Sequence, residues 1–383
     1  MTSFSYIGLG LGVFYCLMVL LFWAGLFKPQ TGFNTRKLSV SIIIAARNEE
    51  LFIDNILKDL LNQKYPQSLY DITIVDDHST DRTAEIILEY SHKYSNVHCI
   101  RLDDVPEHYS PKKYALQYAV EHAKGDIILT TDADCRISPH WIAEMVHYFT
   151  PNTGFVIGFS QLSHPEKQHN FIEKLQSFDF LELMGAAAGT TNLGYPLAAS
   201  GQNMAYRKTA FLQINGYSQV SHRVSGDDVL LLNMIRKYTD YDIVFASNPR
   251  TYVFSHPQPT LAALLNQRIR WASNGSYQLH LNLLFFIYLL LTYCFNLFLL
   301  SAVFVSVLMP AVLPATLFCF AARFVCEGLL SLKSTSYFRR KDLLIYFPVW
   351  FFAQIPYIIF VGLIGTFGRF NWKERILSAE MKQ

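Results

Sequence analysis

The stretch Asp126-Ile127-Ile128-Leu129-Thr130-Thr131-Asp132-Ala133-Asp134 decides how the chain is read. Its first half is a short apolar and β-branched run, the pattern of a strand covered on both faces. Its second half sets two carboxylates on either side of one small residue. An unpaired buried carboxylate costs several kcal/mol, so the pair belongs at the exposed carboxyl end of the strand. There the two acids can face one hard cation that in turn takes diphosphate oxygens. The triplet alone is a common pattern, and its position after a buried strand gives it weight.

Two more runs upstream share that form, Ser39-Val40-Ser41-Ile42-Ile43-Ile44 and Asp71-Ile72-Thr73-Ile74-Val75. Helix-like stretches lie around them at 49–61, 81–90 and 111–123. This alternation predicts an α/β domain with a mostly parallel sheet wrapped by helices. Polar residues follow each run. The first leads into Ala46-Arg47-Asn48-Glu49, where close backbone approach suits a nucleotide and an ordinary capped helix start explains Asn48 and Glu49 equally. The second leads into Asp76-Asp77-His78-Ser79-Thr80-Asp81. Ser79 or Thr80 is expected to cap the next helix with Asp81 in its first turn, leaving Asp77 as an acceptor for a base or ribose donor group. Farther on, Gly226-Asp227-Asp228 precedes a helical run. That acid pair either caps the helix or supplies a general base, its like charges raising one pKa toward a useful range.

Composition points to lipid. The 383 residues are 51% hydrophobic and only 16% charged. Tyr6 to Leu26 carries no charge and is long enough to cross a bilayer, and Lys28, Arg36 and Lys37 follow it. A cleaved signal peptide would carry its basic residues ahead of the apolar run, so the segment reads as an anchor with a cytoplasmic domain after it. Three more apolar segments cover 283–308, 311–332 and 343–367, with Arg323 and Glu327 set to pair at i and i+4. Basic residues near 333–341 and 369–375 both ask to be cytoplasmic, which one crossing between them cannot satisfy. Pro348 and Pro356 are therefore expected to break the last segment into a hairpin or interfacial pair. The expected domains are an anchor at 1–27, a soluble α/β domain at 28–280 and a membrane region at 281–383. A net charge of +2 gives no support for nucleic-acid binding, and six scattered cysteines indicate neither a zinc site nor a disulfide framework.

Just ahead of the second apolar segment, Gln267-Arg268-Ile269-Arg270-Trp271 lies on a helix-like stretch from 260 to 275. Such a helix can rest on lipid headgroups, deliver arginines to a diphosphate, or do both.

Taken in order, Ala46-Arg47-Asn48-Glu49, Val75-Asp76-Asp77, Asp132-Ala133-Asp134, Gly226-Asp227-Asp228 and Gln267-Arg268-Ile269-Arg270-Trp271 resemble the family 2 glycosyltransferases of the GT-A fold. The likeness covers roughly 38–280, and the order of motifs looks like the membrane-bound branch that includes cellulose, chitin and hyaluronan synthases and ceramide glucosyltransferases. It implies a UDP-sugar donor, a divalent metal (Mg2+ or Mn2+), a lipid or glycan acceptor, and a membrane-embedded inverting enzyme. By resemblance, Ala46, Asn48, Glu49 and Asp77 surround base and ribose, and Lys112 lies near the phosphates. Asp132 and Asp134 hold sugar and metal, and Asp228 beside Asp227 is the base. Gln202 and Asn203 sit near the acceptor, while Gln267, Arg268, Arg270 and Trp271 line the acceptor and diphosphate side. Pro111 and Asp227 depart from the family's usual glycine and glutamate. The small membrane part favours a single transfer to lipid over a processive synthase. A non-catalytic nucleotide-sugar-binding subunit is the reading of another class.

Overall fold

The computed structural model describes residues 2–102, 104–163, 169–368, 370–372 and 375–377. In chain order the elements begin with helix α1 (Ser3–Gly25), strand β1 (Val40–Ala46), α2 (Ile53–Leu61), β2 (Tyr70–Asp76), α3 (Thr83–Lys93) and β3 (Val97–Arg101). They continue with α4 (Pro111–His122), β4 (Ile127–Thr130), β5 (Arg136–Ile137), α5 (Trp141–Val146), β6 (Thr153–Gly158), β7 (Ser160–Leu162) and the long α6 (Phe171–Asn192). Then come β8 (Met204–Arg207), α7 (Lys208–Gln213), α8 (Val229–Tyr238), β9 (Asp242–Ala246) and β10 (Val253–Ser255). Helices α9 (Leu261–Ala272), α10 (Gln278–Leu281), α11 (Leu283–Leu308), α12 (Leu313–Tyr337) and α13 (Phe347–Phe367) follow. Two short strands, β11 (Phe370–Trp372) and β12 (Arg375–Leu377), pair with each other.

The chain forms two units. One holds Pro29–Gln168 and Gly194–Pro257, the other Met1–Lys28, His169–Leu193 and Gln258–Phe370. The expected soluble domain of 28–280 is thus corrected: 169–193 and 258–280 belong to the helical unit. Asn170 and Glu173 form a reciprocal cap at the start of α6, a signal that reads as an ordinary soluble helix. What draws α6 to the apolar helices is its run of small residues, since Gly189 lies directly against the backbone of Phe22 and Gly25.

In the first unit a seven-stranded sheet has the order β3-β2-β1-β4-β8-β6-β9. The first four strands are parallel, β8 runs antiparallel to both neighbours, and β9 is parallel to β6. Ile42, Ile44, Ile72, Ile74, Ile127 and Leu129 are completely buried, as continuous apolar strands in a covered sheet must be. The chain winds from β1 outward to β2 and β3, then returns to place β4 on the other side of β1. That reversal opens a crevice at the carboxyl ends of the strands, the usual ligand position in such sheets. Register brings Ala46 level with Asp76, and Ile43 level with Thr130, so the three polar strand ends meet at one edge. A second, three-stranded sheet has the order β5-β10-β7.

Among the described residues of the helical unit, four helices are long and apolar enough to cross a membrane, within Ser3–Gly25, Leu283–Leu308, Pro310–Tyr337 and Lys341–Phe367. Helices α1 and α12 run the same way: Cys319 reaches the Gly8 carbonyl near their starts, and the Lys333 ammonium lies 3.9 Å from the Phe27 ring near their ends. Helix α11 runs opposite, with Phe298 against Phe4 and Tyr288 against Phe22. The expected break in the last segment does not occur. Pro348 lies in the first turn of α13, where no N–H is required, and Pro356 is accommodated inside one continuous helix. Arg369, Lys373 and Glu374 lie outside the described residues.

Arg323 and Glu327 do pair, at 3.0 Å, and both are buried. They also recruit three neighbours. Arg323 donates to Asn296 at 3.0 Å, Gln354 donates to Glu327 at 2.8 Å, and the Tyr15 hydroxyl donates to the same carboxylate. One polar cluster therefore ties α1, α11, α12 and α13 together.

Candidate active site

At the ends of β1 and β2 the chain makes two turns that lock into each other. Asn48 and His78 both have positive φ, 53° and 55°. Asparagine and histidine are among the non-glycine residues that enter this region most readily, and the interlocking turns hold both there. Asn48 donates its N–H to Ser79 Oγ at 3.1 Å and accepts from the Thr80 N–H at 2.9 Å. The Glu49 N–H reaches Thr83 Oγ1 at 2.7 Å. Ser79 and Thr80 thus brace the first turn, and α3 starts at Thr83 without the expected side-chain cap from either. Asp81 lies just ahead of the helix and not in its first turn, where it accepts from the Thr83 N–H at 3.0 Å. Ala46 is buried, its carbonyl accepting from the Asp77 N–H at 2.8 Å. Asp77 lies under the turns, its carboxylate 4.0 Å from Arg47 Nη1 and 3.3 Å from His78 Nδ1. A cleft of about 480 Å³ opens here, lined by Arg47, Asp77, His78, Thr80, Asp104 and Pro111. Its end at Pro111 is the N-terminus of α4, whose N–H groups favour an anion.

Lys112 joins this cleft to the acids. Its Nζ lies 3.3 Å from Asp132 Oδ1 and 3.0 Å from Asp227 Oδ2, so one ammonium bridges the strand-end triplet and the acid pair. The other triplet acid, Asp134, accepts from Ser255 Oγ at 3.1 Å, and Ser255 accepts from Gln202 Nε2 at 2.9 Å. Gln202 therefore orients Asp134 through Ser255. Among the described residues no three His, Cys, Asp or Glu side chains cluster as a cation cage. Two carboxylates at an open edge suit a hard cation that takes its remaining oxygens from water and a diphosphate.

Asp228 begins α8, and its carboxylate accepts from the Gly201 N–H at 3.0 Å and from the Val229 N–H at 2.6 Å. The acid pair is split electrically. At Asp227 burial favours the neutral acid, but the ammonium groups of Lys112 and Lys113 outweigh it and hold the carboxyl below its usual range. At Asp228 burial, then the charge of Asp227, raises the carboxyl above its usual range against those two N–H groups. Capping and a raised pKa coexist in Asp228.

Asn203 has a different place from the one expected. It is completely buried, donates to the Phe159 and Thr251 carbonyls at 2.8 Å each, and accepts from Trp141 Nε1 at 3.0 Å. Its amide braces the two sheets and is not presented to an acceptor. Gln267, Arg268, Arg270 and Trp271 lie on α9 in the helical unit. Arg268 is buried there, 2.7 Å from the Asp179 carboxylate of α6 and stacked 4.3 Å from the Trp271 ring centre. Trp350 of α13 donates to the same aspartate at 2.9 Å. Arg268 therefore ties three helices instead of being held out for a diphosphate. Sequence reading missed Ser255 because β10 is only three residues long, and missed Lys113 because a second lysine in a helix's first turn reads as solvated.

Two family models match the chain. The model of glycosyl transferase family 2 matches residues 41–212, and that of glycosyl transferase family group 2 matches 127–363. The second match spans more than half of the chain, which belongs to glycosyl transferase family group 2. It is similar to a beta-monoglucosyldiacylglycerol synthase of Nostoc sp., 27% identical over 243 residues, covering 63% of this chain and 50% of that one. It is also similar to a poly-beta-1,6-N-acetyl-D-glucosamine synthase of Staphylococcus epidermidis, 25% identical over 239 residues, covering 62% and 54%. The chain spans about half the length of these curated relatives. Among solved structures, a mannosyltransferase of Pyrobaculum calidifontis in complex with GDP-Man and Mn2+ aligns with a TM-score of 0.58 at 18% identity, over 90% of this chain and 98% of that one. That likeness establishes the GT-A fold.

Proposed function

We propose that the protein is a membrane-embedded inverting glycosyltransferase that moves one sugar from a nucleoside-diphosphate sugar, UDP-linked by resemblance, to a lipid acceptor at the cytoplasmic membrane face. The observation that carries this reading is Lys112, whose single ammonium bridges the strand-end acid Asp132 and the acid pair at Asp227. Base and ribose enter the cleft beside Asp77, with Arg47, His78 and Thr80 as its wall and Asn48 and Glu49 in the turn next to it. The diphosphate lies along the N-terminus of α4, where Lys112 turns from Asp227 toward phosphate oxygens. Asp132 and Asp134 would hold Mg2+ or Mn2+, whose chemistry is to neutralise charge on the departing diphosphate. Asp228 takes the proton of the acceptor hydroxyl as that oxygen forms its bond to the sugar carbon. The bond from the same carbon to the diphosphate oxygen breaks from the opposite face, so the configuration inverts.

A cytoplasmic site is supported by the basic residues Lys28, Arg36 and Lys37 after α1, and by Lys333, Arg339, Arg340 and Lys341 around the end of α12. The parallel course of α1 and α12 brings the Phe27 and Lys333 ends together, as both groups of charges require. The lipid acceptor is supported by the relative named for a glucosyldiacylglycerol product, whereas the one named for a polysaccharide favours repeated addition. Purified protein supplied with UDP- and GDP-sugars and native membrane lipids tests both. Chelator-sensitive nucleotide release with a product one sugar heavier supports single transfer, and a ladder of masses supports a synthase. Silence with every donor supports the non-catalytic reading.

A further inference from the structure

Two lysines stand side by side at the start of α4 and are used differently. The Lys112 side chain is 22% exposed and reaches the carboxylates. Lys113 is 1% exposed and points inward, where its Nζ donates to the main-chain carbonyls of Arg223 at 2.5 Å and Ser225 at 2.8 Å. Those carbonyls lie on the stretch that runs straight into Gly226-Asp227-Asp228. A second connection from α4 reaches the same stretch. Gln117, one turn beyond Lys113, accepts from the Tyr217 N–H at 2.7 Å, and the Tyr217 hydroxyl donates to the Asp227 carbonyl at 3.0 Å. Both Lys113 and Tyr217 are buried and well removed from solvent competition.

Burying an amine is costly, and here burial pushes the Lys113 ammonium down to about 7 against the attraction of Asp227. Packing alone does not need that cost, since a methionine would fill the volume of the stem. The amine adds a fixed double donor to two converging carbonyls.

We propose that Lys113, together with Tyr217, is a positioning residue that fixes the acid-pair loop to α4. The separation between Asp228 and the edge carrying Asp132 is then set before any donor arrives. The proposal rests on the reading of Asp228 as the base. When a diphosphate draws Lys112 away, the side-chain tie from α4 to Asp227 is lost, while the Lys113 and Tyr217 ties remain because neither involves Lys112. Removing them leaves the donor cleft intact and displaces the base. The expected signature is a loss in kcat with little change in donor KM.

The test is steady-state transfer by the full-length protein in detergent, comparing wild type, Lys113→Met, Tyr217→Phe and Asp228→Asn, with UDP binding measured by calorimetry. Lys113→Met is expected to lower kcat about 10- to 100-fold, as a misplaced base does, with donor KM and UDP affinity within about threefold of wild type. Tyr217→Phe, which removes one hydroxyl and keeps the ring, is expected to fall in the same direction by a smaller factor. An unchanged kcat in Lys113→Met, or a kcat loss matched by equal loss of UDP affinity, overturns the proposal. Should Lys113→Met fail to accumulate, an unchanged kcat in Tyr217→Phe overturns it instead. Asp228→Asn separates the two ideas: full activity there removes the base reading itself, whereas an inactive Asp228→Asn beside a normal Lys113→Met removes only the positioning role.

Discussion

Asp228 carries two demands, since its carboxylate caps α8 and must also take a proton in the proposed reaction. Its raised pKa gives a sign to the pH dependence. A base works deprotonated, so kcat falls as pH drops through its pKa, and the acid limb should lie above the pH expected of an ordinary carboxylate. A pH profile of kcat checks this, and Asp228→Asn should lose about 10²- to 10⁴-fold at the plateau. Ser255 makes a separate prediction. Its hydroxyl fixes one oxygen of Asp134 at 3.1 Å, so Ser255→Ala should raise the half-saturating Mn2+ concentration about 10- to 100-fold while UDP binding in the cleft holds. Metal titration of activity beside UDP calorimetry reads both. Asp132 and Asp134 were legible in the sequence because acids at a strand end conflict with burial, Asp227 because an acid pair stands before a helical run, and Lys112 only through the family resemblance. Asn203 was not, because an amide that serves two buried carbonyls looks in sequence like one offered to a ligand.

Among elements, the three parallel strands β1, β2 and β4 were readable as continuous apolar runs, whereas β10 and β7 are too short for any period to show. Helix α6 was hidden for another reason. Its small residues from Gly185 to Gly189 have low apolar content, yet they allow the close approach to α1 that places α6 in the helical unit. The pairing of Arg323 with Glu327 followed from their spacing, but Tyr15, Asn296 and Gln354 come from three other helices and no local pattern announces them. Breaking this cluster from one side leaves a buried charge. Glu327→Leu should destabilise by about 3–5 kcal/mol, while the double variant Arg323→Met/Glu327→Leu should lie closer to wild type. Thermal unfolding in detergent decides the order, and a double variant worse than the single would contradict it.

For the whole molecule, composition and the order of motifs identified a GT-A domain joined to apolar helices, and the family matches agree. The sequence did not reveal that the chain enters the helical unit three times, because 169–193 and 258–280 carry polar residues that read as soluble. The same polar residues, Asp179 and Arg268, are what join α6, α9 and α13. The most direct test of the central claim follows the sugar into product. Purified wild type and Asp228→Asn would be incubated with a panel of UDP- and GDP-sugars and native membrane lipids, with and without chelator, and the lipids analysed by mass spectrometry. The account predicts that wild type forms, only with free divalent metal, a lipid heavier by one sugar, and that Asp228→Asn binds the nucleotide but forms none. Equal product from both proteins, or nucleotide binding by wild type without product from any donor, would contradict it.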